Sequence, residues 1–311
     1  MLNLLRIENI CDSLLNNRKE EIILGKKTLR IALPQWQGGN NPTYFLGSQL
    51  LTWLAPKNKA HKEVVIPIST PNTPFEEADT QVVAQERVKE LTLEVKQKIE
   101  EENPDKIITF GGDCLVSQSP FDYLHGKYQN KLGIIWIDAH PDISTPTIFN
   151  HEHAMVLGNL LGKGDPNLAS LVENPFNPSD VLYVGLQQPT EDEIALLKEM
   201  NLNYQVQSES PLSIKEIQAW IEQNDFDYVA IHLDLDVLDP NEFRMTYFAE
   251  PLVEEYGAVA GKMTLKELGQ VMAGISAVSE VVGLTIAELL PWDVQNLQQL
   301  LSSFDIFDSP N

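Results

Sequence analysis

Two aspartates follow an apolar run in the segment VAIHLDLDVLDP, residues 229–240. If this run is a β-strand, its period of two places Asp234 and Asp236 on one face, at the end of a buried element. Two carboxylates in that position repel each other and lose hydration. Divalent cations would cancel the repulsion and replace the lost water, so we interpret the pair as metal ligands. The alternative is a pair of loop aspartates next to a turn that begins at Asp239 and Pro240.

The segment DAHPD, residues 138–142, is a second group of metal-type side chains and directly follows the apolar run LGIIWI. Asp138, His140 and Asp142 alternate, so they can converge on one point if the chain stays extended. An imidazole with carboxylates suits manganese, iron or zinc. A polar loop with a helix-capping aspartate is the alternative. Together with the first pair, these residues favour a binuclear site, which polarises an electrophile and generates hydroxide near neutral pH.

Three further segments contribute candidate side chains. Cys114 ends the segment GGDC after the apolar run KIITF, and Glu288 follows VVGLTIA. Glu288 would hold a cationic substrate; otherwise it binds a backbone amide or a lysine. His151 and His153 begin a helical pattern in NHEHAMVLG. They are either surface histidines or, if one reaches the metals, a general acid or proton shuttle, because the unperturbed pKa of histidine is near 6.5.

The candidate residues are expected to follow the strands of a parallel sheet. Short apolar runs alternate with amphipathic patterns such as Gln85–Asn103, and Thr264 with Glu267 fits a capping box at a helix start. This alternation indicates an α/β fold with helices on both faces of the sheet. Ligands of such sheets bind beyond the carboxyl ends of the strands, where all the candidates would converge. The eight strand candidates are Leu29–Leu33, Glu63–Ile68, Lys106–Phe110, Leu132–Ile137, Val181–Gly185, Asn203–Val206, Tyr228–Leu233 and Val281–Ala287.

Composition limits the classes of partner. The 311 residues carry a net charge of −23, which would repel nucleic acid and anionic membranes. No apolar stretch approaches the roughly 18 residues of a membrane span, and the N-terminus lacks the features of a signal peptide. Cys11 and Cys114 make no disulfide framework. We expect a cytoplasmic protein with one domain over residues 1–311, of which 1–27 form an N-terminal helical extension.

The segments GGDC, WIDAHPD, HLDLDVLDP and GLTIAELLP, in this order and spacing, resemble the ureohydrolase family of arginases, agmatinases and relatives. The resemblance implies a three-layer α/β/α fold with a mostly parallel sheet of roughly eight strands, a dimanganese centre and a homo-oligomer. It implies hydrolysis of a guanidino C–N bond by a metal-bridging hydroxide, which releases urea or a related product. If the roles of the family's residues are carried over to this sequence, Asp138 and Asp234 would bridge the metals. Asp142 would complete one metal site, and His140 with Asp236 would complete the other. His153 would shuttle protons, and Glu288 would face the guanidinium.

This sequence departs from the family pattern at two places. Cys114 replaces a histidine that ligates the first metal; a thiolate favours zinc or iron over manganese, and a protonated thiol would leave that site weakened. Gln188 and Thr190 stand where arginases have two aspartates that bind the α-amino group of L-arginine. We therefore expect a small guanidino compound other than L-arginine as the substrate. The alternative is a non-catalytic or regulatory metal-binding member of the same fold.

Overall fold

The computed structural model describes residues 26–70, 73–76, 81–207, 212–304 and 306. Within these residues seven strands form one sheet in the order β2-β1-β3-β7-β6-β4-β5. Every pair of neighbouring strands is parallel. The strands are β1 Thr28–Leu33, β2 Lys62–Val65, β3 Lys106–Gly111, β4 Leu132–Ile137, β5 Val181–Val184, β6 Tyr228–Asp234 and β7 Glu280–Ala287.

The central strands are buried on both faces, which explains their near-continuous apolar sequence. In β4 the side chains of Ile134 and Trp136 join the hydrophobic core on one face of the sheet. Those of Ile135 and Ile137 join the core on the other face. This alternation is the period of two that a strand imposes on its side chains. The sheet is therefore the middle layer of three, with helices packed on each side.

The helices are α1 Thr43–Leu54, α2 Gln85–Glu102, α3 Gln118–Tyr128, α4 Val156–Leu160, α5 Pro166–Ala169, α6 Glu191–Glu199, α7 Ile214–Gln223, α8 Leu265–Ser276 and α9 Trp292–Ser302. Helices α2, α3 and α4 supply apolar side chains to the first core. Helices α7 and α8 supply them to the second. The predicted capping box of Thr264 with Glu267 is confirmed at the start of α8, and Ser213 with Glu216 forms another at α7.

The three-layer α/β/α fold is confirmed, but the strand at Asn203–Val206 is wrong. This segment has no regular structure, and Asn203 and Gln205 are exposed to solvent. It runs beside the end of β5, where the Gln207 N–H donates to the Leu186 carbonyl at 2.7 Å. The predicted helical extension over 1–27 lies outside the described residues, except for Lys26 and Lys27, which have no regular structure. None of the helices described is both long and apolar enough to cross a membrane.

Candidate metal centre

The candidate side chains meet where four neighbouring strands end. Strands β3, β7, β6 and β4 lie side by side, and each is followed or ended by metal-type residues. Their donor atoms form three clusters, in each of which the atoms lie within 4.8 Å of one another. Cluster 1 is Asp138, His140 and Asp236; cluster 2 is Cys114, Asp138, Asp142 and His232; and cluster 3 is Cys114, Asp234 and Glu288.

Asp138 is the carboxylate that clusters 1 and 2 share. One oxygen, Oδ1, accepts a hydrogen bond from the His140 N–H at 2.7 Å, and Oδ2 accepts one from Trp136 Nε1 at 3.1 Å. The side chain is fully buried. Burial alone would raise its pKa, but His140 and His232 outweigh burial, and the pKa of Asp138 falls below its usual value. Asp138 is therefore an ionised group that faces two potential metal positions.

Cluster 1 contains the most accessible of the predicted ligands. The side chain of His140 is 25% exposed, whereas Asp236 is 4% exposed. His140 Nδ1 lies 3.0 Å from Asp236 Oδ2 and 3.6 Å from Asp138 Oδ1. Burial would lower the pKa of His140, but the two carboxylates raise it well above its ordinary value. Between these atoms a divalent cation would replace the proton that His140 otherwise holds.

Cluster 2 brings in a histidine that the sequence analysis missed. His232 is fully buried inside β6, and its Nε2 lies 3.6 Å from Asp138 Oδ2. The signal was present in the sequence, because His232 lies two residues before Asp234 and so shares one face of the strand with it. Asp142 completes the cluster; it is buried and has a backbone φ of 50°. Burial and the charge of Asp138 raise the pKa of Asp142 well above its usual value.

Cluster 3 joins the ends of β3, β6 and β7 through Cys114. Its thiol donates a hydrogen bond to Asp234 Oδ2 at 2.9 Å and lies 3.5 Å from Glu288 Oε1. Burial, followed by the charges of Asp234 and Glu288, raises the pKa of the thiol well above its ordinary value. Burial and Asp236 likewise raise the pKa of both carboxyl groups. Without a cation, Cys114 is therefore a thiol that bridges two acids, and a metal would have to displace its proton to bind sulfur.

The donor atoms fit divalent cations. Several are buried and have no hydrogen-bond partner within the described ranges: Nε2 of His140 and His232, Oδ2 of Asp142 and Oδ1 of Asp236. Buried polar atoms are ordinarily satisfied, and four orphans in one group need a cause. Burial, followed by the charges of neighbouring carboxylates, raises the pKa of Asp142, Asp234 and Glu288, and bound cations would offset both effects. The strand ends can therefore hold metal ions between oxygen, nitrogen and sulfur donors.

His153 lies at the rim of the centre, in the segment between β4 and α4, and faces the loop that follows β1. It is half-buried, and its Nδ1–H donates to the Gly38 carbonyl at 3.1 Å, which leaves Nε2 as the unprotonated nitrogen. Burial, followed by the nearby His151, lowers the pKa of His153 to about 4. The loop is held by Asp113, which accepts hydrogen bonds from the N–H groups of Gly38 and Gly39. His153 is thus a neutral, oriented imidazole near neutral pH.

The loop after β5 packs against the end of β4. The Gln187 N–H donates to the Ala139 carbonyl at 2.9 Å, which holds the loop next to Asp138. Gln188 and Thr190 are both exposed. The Thr190 hydroxyl caps α6 in a capping box with Glu193. These two side chains present no charge towards the centre.

Acidic and imidazole side chains thus gather at the carboxyl ends of the central strands of a parallel sheet, where α/β proteins of this type bind their ligands. The profile described as Arginase family matches residues 68–300, and the chain belongs to the arginase family. An arginase of Entamoeba histolytica is 27% identical over 182 residues, which are 56% of this chain and 62% of that protein. A Staphylococcus aureus arginase is 29% identical over 163 residues, 48% of this chain and 54% of that one. The matches thus span little more than half the length of these curated relatives.

Solved structures show the same fold. The Entamoeba histolytica arginase in complex with L-ornithine superposes with a TM-score of 0.70 at 22% identity, covering 86% of this chain and 92% of that chain. A Bacillus caldovelox arginase gives 0.68 at 21% identity, covering 86% and 91%. A putative agmatinase from Clostridium difficile gives 0.59 at 18% identity, covering 89% and 93%. At these identities the likeness concerns the fold alone.

Proposed function

We propose that this protein is a binuclear-metal hydrolase that cleaves a guanidino C–N bond and releases urea or a related product. The observation that carries the proposal is the convergence of five acidic residues and two histidines on adjoining strand ends, with orphaned donor atoms between them. Membership of the arginase family supports the reaction class. The proposed ligands are Asp138, His140 and Asp236 for one ion, and Asp138, Asp142 and Cys114 for the other. Asp234, which meets Cys114 in cluster 3, is proposed as a further ligand.

Two divalent ions would generate a hydroxide nucleophile near neutral pH and stabilise the negative charge that develops during attack. The oxygen-rich donor set of cluster 1 suits manganese, and the sulfur of Cys114 suits zinc or iron. Asp138 would contribute to both metal sites, because its Oδ1 faces His140 of cluster 1 and its Oδ2 faces His232 of cluster 2.

Glu288 would bind the planar, cationic guanidino group. Its carboxyl group is buried and lies with Asp234 in cluster 3. Burial, followed by the charge of Asp236, raises its pKa, which the nearby Tyr44 hydroxyl partly counteracts. A guanidinium would bring the positive charge that this group of acids lacks. Glu288 would thereby fix the substrate carbon near attack distance, about 3 Å from the nucleophile.

His153 would move the proton that the reaction requires. Its Nε2 is unprotonated at neutral pH, so it can take up a proton released by water and pass it to the leaving amine nitrogen. The hydrogen bond from Nδ1 to the Gly38 carbonyl fixes the ring in one orientation. A single imidazole then serves in turn as base and as acid.

The substrate is expected to be a guanidino compound without an α-amino group at its far end. His140 lies on the exposed side of the centre. Its ring stacks on that of Phe248, with ring centroids 5.9 Å apart. The neighbouring loop presents the neutral Gln188 and Thr190. Neither Gln188 nor Thr190 offers a carboxylate for the ammonium group of L-arginine.

The second candidate is a non-catalytic member of the family that retains the fold. The bond from the Cys114 thiol to Asp234 favours it, because a protonated thiol occupies a ligand position and joins two of the acids without any metal. The two candidates differ in whether metal-loaded protein turns over a substrate.

Urea release by metal-loaded protein tests the proposal. The protein is loaded with manganese or zinc and assayed with guanidino acids, simple guanidines and L-arginine, with Asp138→Asn as the inactive control. The proposal predicts urea from at least one amine-free compound, at a higher kcat/KM than from L-arginine. Preference for L-arginine over every such compound would contradict the specificity. Release of neither urea nor ammonia by fully loaded protein would favour the non-catalytic member.

A further inference from the structure

The geometry points to His232 as a metal ligand: its Nε2 supplies the imidazole of the cluster 2 site, together with Cys114, Asp138 and Asp142. This inference rests on the proposed two-metal function and assigns the ligands of one of its sites. The family pattern has a histidine where this chain has Cys114, after β3. Here an imidazole reaches the same space from a different strand, because His232 belongs to β6.

Both ring nitrogens of His232 are in the arrangement of a metal-binding histidine. Nδ1 lies 2.8 Å from the Ser117 hydroxyl, and that hydroxyl lies 2.7 Å from Thr285 Oγ1. Nε2 is buried and has no hydrogen-bond partner among the residues described, since Asp138 Oδ2 at 3.6 Å is too distant. If Nδ1–H donates to Ser117, Nε2 carries a lone pair directed at cluster 2. A hydrogen bond on the far nitrogen is how proteins orient metal-binding histidines.

The ring cannot turn away from the cluster. In the sheet His232 is the register partner of Trp136 on β4 and of Thr285 on β7. The indole of Trp136 stacks on the imidazole, with centroids 3.8 Å apart and planes inclined by 14°. The same indole donates to Asp138 Oδ2 through Nε1. One aromatic side chain therefore fixes two proposed ligands of the same ion.

The resulting donor set differs from an all-oxygen one. The set consists of one sulfur, one nitrogen and two carboxylates, with donor atoms within 4.8 Å of one another. Such a set favours the binding of zinc or ferrous iron over that of manganese. Cluster 1 consists of one imidazole and two carboxylates, and its His140 side chain is partly exposed to solvent. The two clusters are then expected to differ in their affinity for zinc, and cluster 2 should bind zinc more tightly than cluster 1.

Zinc titration of three variants against a chromophoric chelator tests the assignment. His232→Asn keeps a polar atom near Nδ1 for Ser117 but removes the ligand nitrogen, so one site should weaken by about 100-fold or more. Ser117→Ala removes the orienting bond, together with the contact of Ser117 to Thr285, and should weaken the same site by roughly 10–100-fold. His125→Asn is the matched control, since His125 Nδ1 contacts the Asn174 carbonyl outside the clusters. It should leave both affinities within about threefold of the parent.

Long-range ¹H–¹⁵N NMR of the histidine rings is carried out on the parent protein, so its result does not depend on whether any variant folds. Added zinc should shift the ring nitrogens of His140 and His232, and those of His125 should not move. Zinc that leaves His232 unshifted, or a His232→Asn variant with both affinities unchanged, would overturn the inference. In that case two bound zinc ions and urea release would leave the proposed function standing. Loss of one zinc from His232→Asn in a protein that releases no urea would support the ligand and refute the hydrolase.

Discussion

Replacement of Asp234 by asparagine is expected to change stability in opposite directions in metal-free and metal-loaded protein. Burial and the neighbouring Asp236 raise the pKa of Asp234, so in metal-free protein its charge opposes folding. Asparagine removes the charge and keeps an oxygen for the Asp236 N–H, which lies 2.6 Å from Asp234 Oδ1. The metal-free variant should therefore be at least as stable as the parent.

With metal the order reverses. An ion that binds only the folded state at 100 times its Kd stabilises that state by about 2.7 kcal/mol per site. At roughly 2.1 cal/mol/K per residue, the 311 residues have an unfolding entropy of about 0.65 kcal/mol/K near 60 °C. Two filled sites should raise the Tm of the parent by about 8 °C, and a variant that fills one site should gain about 4 °C.

Scanning calorimetry of the parent, Asp234→Asn and Asp239→Asn, each with and without metal, measures these differences. Asp239 is the matched control: it lies in the same loop, and its Oδ1 accepts the Asn241 N–H at 2.8 Å in a turn outside the clusters. Asp239→Asn should show the full increment of the parent. If Asp234→Asn lowers the Tm of metal-free protein and still gains the full increment, Asp234 does not act on the metals and the reasoning is refuted.

Three further outcomes follow from the site. Glu288→Gln should lower kcat/KM by roughly 10²–10³-fold and keep both metals, because it removes a buried charge that faces the substrate; metal analysis of the variant checks this, and lost metal would make Glu288 a ligand. His153→Ala should slow turnover by roughly 10²–10⁴-fold in steady-state kinetics, whereas an unchanged rate would exclude proton transfer by this side chain. Metal-free protein should lose stability as the pH rises above about 6.5, the ordinary pKa of histidine, because the raised folded-state pKa values of Asp142 and His140 make the folded state bind more protons than the unfolded state in the window above that pH. Calorimetry across the window checks the sign, and a Tm that rises with pH would contradict it.

The sequence predicts the fold well where hydrophobic periodicity is strong. Strands such as β4 and β6 are buried on both faces, so their apolar runs stand out between polar strand ends. Asn203–Val206 also carries alternating residues, but this segment joins no neighbouring strand and has no regular structure. Pairing depends on partners that are distant in sequence, which local composition does not contain.

The predicted site residues Cys114, Asp138, Asp142, Asp234 and Asp236, with His140 and Glu288, do meet at one edge of the sheet. The strand-end rule was sufficient for this, because carboxyl ends of neighbouring parallel strands share an edge. His232 is not predicted as a ligand from the sequence, because it lies inside an apolar run, where a histidine is ordinarily interpreted as a core residue. The bond from Cys114 to Asp234 joins residues 120 positions apart, and only the strand order β3-β7-β6 brings them together.

The number of divalent ions bound per chain tests the central claim most directly. The parent protein is unfolded in chelator, refolded with manganese or with zinc, separated from free metal by gel filtration and analysed by mass spectrometry of the elements. A binuclear centre predicts two ions per chain, at least one of them lost in Asp138→Asn, whose carboxylate faces both clusters. Less than about a tenth of an equivalent of either metal in folded parent protein would contradict a metal centre at these strand ends.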